Sequence, residues 1–211
     1  MFKNKAVIFL NGDKSDYSHI SDYIDKDTLL IACDGGAIRM KKLGYEPQAV
    51  VGDFDSLDRG EMDDAEIVEH PADKDYTDSE AAVRYATGKG AKEVILTGLS
   101  GSRIDHMLGN IYLLDKKDFS DIDLKIIEGR QEIYMIKGDT TIKGKKGDII
   151  SFLPIRGDVR AISSSGLKYN LADYVLSLQG NSGISNEMTE AEARVFLKKE
   201  DTLLVMHELE P

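Results

Sequence analysis

The sequence predicts an α/β fold in two parts: an open, parallel-stranded sheet covered by helices, followed by a small antiparallel β-sandwich. Two observations carry this. From the start to about Gly129, short continuous apolar runs alternate with helical segments, which is how strands buried on both faces of a parallel sheet read. After Arg130 no convincing helix intervenes, and apolar or alternating runs are separated by glycine-containing turns, as in antiparallel strands.

The first part has predicted strands at Ala6–Leu10, Leu29–Cys33, Ala49–Val51, Ile67–Val68, Val94–Leu96 and Leu124–Ile127. Helices are expected from Ala37, from Asp78, and from Ile104, the last with an apolar face of Ile104, Leu108, Ile111 and Leu114. In the second part the strands Glu132–Ile136, Asp148–Leu153 and Thr202–Met206 are bracketed by turn signals at Gly138-Asp139, Lys146-Gly147-Asp148, Arg156-Gly157-Asp158 and Gly180-Asn181. The boundary falls near Gly129-Arg130, giving domains 1–129 and 130–211. No repeat or low-complexity segment interrupts them.

With 211 residues and 41% hydrophobic content, the chain can bury a core or two. A net charge of −11 argues against a nucleic-acid partner, which needs excess Lys and Arg. The one cysteine, Cys33, lies in an apolar run and reads as a buried, inert thiol. The opening apolar stretch is too short for a signal peptide or a membrane span, so a soluble, cytoplasmic protein is expected.

Chemistry concentrates in three clusters: Gly52-Asp53-Phe54-Asp55-Ser56, Asp73-Lys74-Asp75-Tyr76-Thr77-Asp78 and Gly101-Ser102-Arg103-Ile104-Asp105-His106. Each follows an apolar run near the start of a helix, the carboxyl edge where open α/β sheets bind ligands. Extended residues two apart point the same way, so Asp53 and Asp55 converge while Phe54 turns inward. With Asp78 they form an oxygen-ligand set suited to Mg²⁺, and Lys74 and Arg103 can neutralise a polyphosphate beyond it. The alternative for the first cluster is an acidic turn capped by Ser56. Thr77 and Glu80 have capping-box spacing, and Asp78 would gain about 0.3–1 kcal/mol from the helix dipole with no ligand at all. Arg103 suits phosphate through its planar fork. His106 reads equally as a general base or as a surface histidine bonded to Asp105 or Asn110. In Cys33-Asp34-Gly35-Gly36-Ala37, two glycines let backbone approach an anion at a helix start; a tight turn with Asp34 as cap explains them as well.

Cys-Asp-Gly-Gly-Ala, Gly-Asp-Phe-Asp-Ser, Lys-Asp-x-Thr-Asp and Gly-x-Arg-x-Asp-His, in this order, resemble the thiamine pyrophosphokinase family. The likeness continues through Ser164-Ser165-Gly166-Leu167-Lys168-Tyr169 and Gly183-Ile184-Ser185-Asn186. It implies a Rossmann-like nucleotide domain, a thiamine-binding sandwich, and transfer of the pyrophosphoryl group of ATP to the hydroxyl of thiamine, giving thiamine diphosphate and AMP. It further implies Mg²⁺ on Asp53, Asp55 and Asp78. Lys74, Arg103 and Asp105 would orient the phosphates and reacting groups, with Asp34, Gly35, Gly36, Thr77 and His106 beside the nucleotide. Family members are homodimers with thiamine between subunits, and Ser185 and Asn186 match the thiamine-contacting end of the pattern. Tyr169 departs from it: the family often has Trp there, and Tyr offers a smaller π face to the thiazolium. A Mg²⁺-dependent phosphohydrolase and a non-enzymatic nucleotide sensor are the rival readings.

Overall fold

Strand β1 (Lys5–Phe9) pairs with β2 (Leu29–Cys33) on one side and with β5 (Glu93–Thr97) on the other, both parallel. The computed structural model describes residues 4–52, 65–69, 75–101 and 103–209. They form two compact units, Met1–Gly129 and Arg130–Pro211. In the first, β3 (Ala49–Gly52) and β4 (Glu66–Glu69) continue beyond β2, while β6 (Asp123–Glu128) lies beyond β5, so the order is β6–β5–β1–β2–β3–β4 with parallel pairing. The chain thus leaves β1 in one direction and returns on its other side at β5. The strand order reverses between the ends of β1 and β5, where such sheets open a crevice.

Helices α1 (Gly36–Lys42) and α2 (Asp78–Gly88) both pack on β1 and β2. Ala37 and Met40 of α1 join Val7, Phe9, Leu30, Ala32, Val50 and Ile95 in one buried cluster. The alternate residues Ala6, Ile8 and Ile31 point to the opposite face and are equally buried. Strand β4 is different: its residues are exposed or half-exposed, as an edge strand permits.

Helix α3 (Ile104–Leu113) corrects one expectation. Ile104 and Leu108, assigned to a buried stripe, are 69% and 47% exposed, together with Tyr112 at 60%. The helix turns Asn110 and Leu113 inward instead. Apolar residues lie on two of its faces, and periodicity alone cannot choose which one the sheet covers.

The second unit contains β7 (Gln131–Lys137), β8 (Asp139–Lys143), β9 (Ile149–Leu153), β10 (Ser163–Ser165), β11 (Asn186–Glu187), β12 (Glu192–Phe196) and β13 (Thr202–Glu208). They make two antiparallel arrays, β11–β9–β13–β7 and β10–β12–β8. One core joins them: Ile150, Phe152, Leu203 and Val205 of the first cluster with Ile142, Ala193 and Val195 of the second. A buried hydrogen bond between His207 Nε2 and Asp148 Oδ2, 2.9 Å long, ties the turn before β9 to β13. Among the described residues, no helix is long and apolar enough to cross a membrane.

Candidate active site

Asp78 is the first residue of α2 and sits half-buried at the carboxyl edge of the sheet. Thr77 fixes the start of that helix, its Oγ1 accepting the Glu80 N–H at 3.3 Å. Only half of the expected capping box forms. The Glu80 carboxylate turns away from the helix start and accepts from Arg84 Nε at 3.0 Å and from Lys116 Nζ at 2.8 Å. Two cations offer a buried carboxylate more than a single backbone amide does. The cap therefore rests on Thr77 alone, and Asp78 is left facing the edge.

Asp78 and Thr77 border a cavity of about 300 Å³ together with Cys33, Asp34, His106 and Asn110. Asp34 adopts a left-handed backbone, φ 43°, rare for a non-glycine residue and often found at functional positions. Its side chain does not cap α1, because Gly35 is the N-cap and no side-chain bond serves it. The Asp34 carboxylate instead packs against Gly52, occupying the space a Cβ there would need. Glycine at the end of β3 thus lets Asp34 approach the strand that leads into Asp53. Cys33 is 4% exposed, and its Sγ lies 3.7 Å from the Asp78 carbonyl.

Arg103 and Asp105 meet each other at the start of α3. Arg103 Nε donates to Oδ1 at 2.9 Å and Nη2 to Oδ2 at 2.6 Å, a bidentate pair on the surface. The Arg103 hydrogen bonds hold the Asp105 carboxyl well below the usual carboxylate range. Arg103 also borders a second cavity, about 390 Å³, and His106 and Asn110 face both cavities. His106 is exposed, which suits a group reached by a ligand.

Asp53, Asp55 and Lys74 lie outside the described residues. Among the described residues, no group of three or more His, Cys, Asp or Glu side chains is arranged to hold a metal ion. The structure does bring Asp34, Thr77, Asp78 and His106 to one edge cavity, with Gly52, the residue before Asp53, against Asp34.

In the second unit, Asn186 is 2% exposed. Its Oδ1 accepts from the Tyr169 N–H at 3.0 Å and the Glu187 N–H at 2.9 Å, and its Nδ2 donates to the Tyr169 carbonyl. Tyr169 itself is 54% exposed, a side chain open to a ligand and not part of the core. Ser185 is exposed with φ 59°, and its N–H donates to Ser151 Oγ.

Residues that the sequence reading did not single out also face the larger cavity: Asn11, Asp13 and Arg39. Asn11-Gly12-Asp13 directly follows the first apolar run, the position rule that had selected the other clusters, and this was the signal available. Arg39 lies inside a helix and gave none.

Two family models match the chain. One, described as the catalytic domain of thiamin pyrophosphokinase, covers residues 20–126; the other, its vitamin B1 binding domain, covers residues 136–203. Among curated relatives, a thiamine pyrophosphokinase of Bacillus subtilis is 32% identical over 188 residues, covering 86% of this chain and 88% of the relative. Thiamin pyrophosphokinase 1 of Caenorhabditis elegans is 27% identical, covering 97% and 89%. The crystal structure of the Bacillus subtilis enzyme superposes with a TM-score of 0.80 at 27% identity, covering 98% of this chain and all of that one. That of Geobacillus thermodenitrificans thiamin pyrophosphokinase gives 0.81 at 24% identity over 97% of each chain, a likeness of fold.

Proposed function

Because the chain belongs to the thiamine pyrophosphokinase family, we propose that it transfers the pyrophosphoryl group of ATP to the hydroxyl of thiamine, giving thiamine diphosphate and AMP. The observation that carries this reading is the cavity at the carboxyl edge of the parallel sheet, where Asp34, Thr77, Asp78 and His106 converge inside the segment matched by the catalytic-domain model.

Such transfer depends on positioning and charge neutralisation more than on covalent help from the protein. Asp53, Asp55 and Asp78 would hold Mg²⁺. Carboxylate oxygens are the donors that ion prefers, and the packing of Asp34 on Gly52 keeps a further carboxylate close to the strand end that leads to Asp53. Bound Mg²⁺ neutralises charge along the triphosphate. Lys74 and Arg103 bind phosphate oxygens, and Asp105 fixes the plane of the Arg103 fork through their bidentate contact. Asp34, Gly35, Gly36, Thr77 and His106 line the nucleotide. On the thiamine side, Tyr169 presents its exposed ring to the thiazolium, and Ser185 and Asn186 border it.

The two arrays sharing one core are read as a β-sandwich, and the first unit as a Rossmann-like domain. We further read the protein as a cytoplasmic homodimer; the exposed Ile104, Leu108 and Tyr112 on α3 support a partner surface. Purified protein given ATP, Mg²⁺ and thiamine should form AMP and thiamine diphosphate in equal amounts. Phosphate release without thiamine, or no turnover at all, would overturn the assignment.

A further inference from the structure

The larger cavity lies where the strand order reverses. Its walls are the segment after β1, Leu10 to Asp13, and the segment after β5, Gly98 to Gly101. Backbone bonds join these walls: Leu10 N–H to Thr97 O at 2.8 Å, Gly12 N–H to Gly98 O at 3.0 Å and Lys14 N–H to Ser100 O at 3.0 Å. Gly98 has φ 85°, and a Cβ there would come 2.7 Å from the Leu10 carbonyl, so the two segments approach as closely as backbone allows. The result is a preorganised cleft and not a loose loop pair.

Arg39 faces this cleft. Helical side chains lean toward the helix N-terminus, and the N-terminus of α1 follows directly from the end of β2, which carries Arg39 to the carboxyl edge. Its Nε is fully buried and has no hydrogen-bond partner, and among the described residues Arg39 makes no ion pair. A buried guanidinium nitrogen without a partner is costly and unusual. The other arginine at the cleft, Arg103, is already held by Asp105 in a bidentate pair. Arg39 also lies close enough to Tyr17 for its charge to oppose the upward push of burial on that phenol; the Tyr17 hydroxyl sits beneath Gly98. Glu128 accepts the Asp16 and Leu99 N–H groups, and Asp13 stands against Gly101.

We propose that Arg39 is a phosphate-binding residue of the nucleotide co-substrate, gripping the phosphate chain of ATP in the cleft between the ends of β1 and β5. This rests on the reaction proposed above for the choice of nucleotide. A guanidinium beneath a glycine-walled cleft supplies paired donors to phosphate oxygens, while Asn11, which lines the same cleft, can share the same oxygens through its amide.

The test uses the full chain and its Arg39→Gln and Arg39→Lys variants. Calorimetry with a non-hydrolysable ATP analogue and Mg²⁺, and separately with inorganic tripolyphosphate, gives binding; AMP formation gives the KM values for ATP and thiamine. Arg39→Gln should weaken both probes and raise KM for ATP about 10- to 100-fold, the size of a lost charge-assisted hydrogen bond. KM for thiamine and the melting temperature should stay near wild type, and Arg39→Lys should recover part of the loss. Three results overturn the proposal: unchanged analogue affinity in Arg39→Gln, an equal loss for ATP and thiamine together with a lower melting temperature, or a wild-type chain that binds no analogue. A wild-type chain that binds the analogue but makes no AMP with thiamine overturns the reaction instead, and the binding comparison still decides the role of Arg39.

Discussion

Asn186 holds the backbone of Tyr169 at both of its polar groups, accepting the N–H at 3.0 Å and donating to the carbonyl at 2.8 Å. The amide is buried and the ring it positions is exposed. Asn186→Ala should therefore lower the stability of the second unit by about 1–3 kcal/mol, the cost of unpaired buried backbone groups, and weaken thiamine binding through Tyr169. Denaturant unfolding and thiamine calorimetry check this, with ATP-analogue affinity as the control expected to hold. Tyr169→Ala should weaken thiamine binding without the stability loss, and Tyr169→Trp should keep or tighten it. Unchanged thiamine affinity in both alanine variants would move the substrate site elsewhere.

Asp78→Asn should lower AMP formation by on the order of 10²-fold, as expected when a charge-stabilising group is removed from a site of phosphoryl transfer. Its melting temperature should stay close to wild type, because Asp78 is a half-buried edge residue and not a core contact. Asp53→Asn should behave alike. Near-normal turnover of both at limiting Mg²⁺ would defeat the metal assignment.

Gly52→Ala should be harmful because the new methyl would meet the Asp34 carboxylate. Overpacking of this kind costs about 1–3 kcal/mol. Combining it with Asp34→Ala should restore much of the stability but not the turnover. A double-mutant cycle by urea unfolding reads the coupling directly, and additive effects would show that the two residues do not press on one another.

Burial pushes the Glu80 carboxyl up, but hydrogen bonds from Lys116 and Arg84 outweigh it and hold the group below its usual value. A carboxyl lowered in the folded state stabilises above its unfolded value, about 4.3, and that stability fades as pH falls through the lower folded value. Glu80→Gln should cost about 1–3 kcal/mol at neutral pH, toward the lower end because its cationic partners are part-exposed and screened. Its unfolding free energy should also vary less with pH across the acid range. An unaltered acid slope would show that Glu80 carries no such linkage.

In the Arg103→Ala variant, the Asp105 carboxyl should return to the ordinary range near 3.9, followed by NMR titration. Phosphate-analogue affinity should fall if Arg103 binds phosphate. Retained affinity would reduce the pair to a surface contact, which is worth little to stability.

The parallel strands were legible because strands buried on both faces must be apolar through their interiors, and β1, β2 and β5 carry the buried apolar runs Ala6–Phe9, Leu29–Cys33 and Val94–Leu96. The edge clusters were legible for a related reason: Thr77, Asp78, Arg103 and Asp105 each follow an apolar run and open a helix, and that juxtaposition is local. Local pattern could not say which face of α3 is covered, so Ile104 and Leu108 were misplaced. Nor could it show that Glu80 would leave Thr77 for Arg84 and Lys116, since Lys116 is far away in sequence. Order along the chain determined the strands, the helix starts and the motifs of the family. Which groups meet was decided only when β5 returned beside β1: that pairing opened a cleft over Arg39, and side-chain packing across strands set Asp34 on Gly52 and Asn186 on Tyr169, contacts that no spacing encodes.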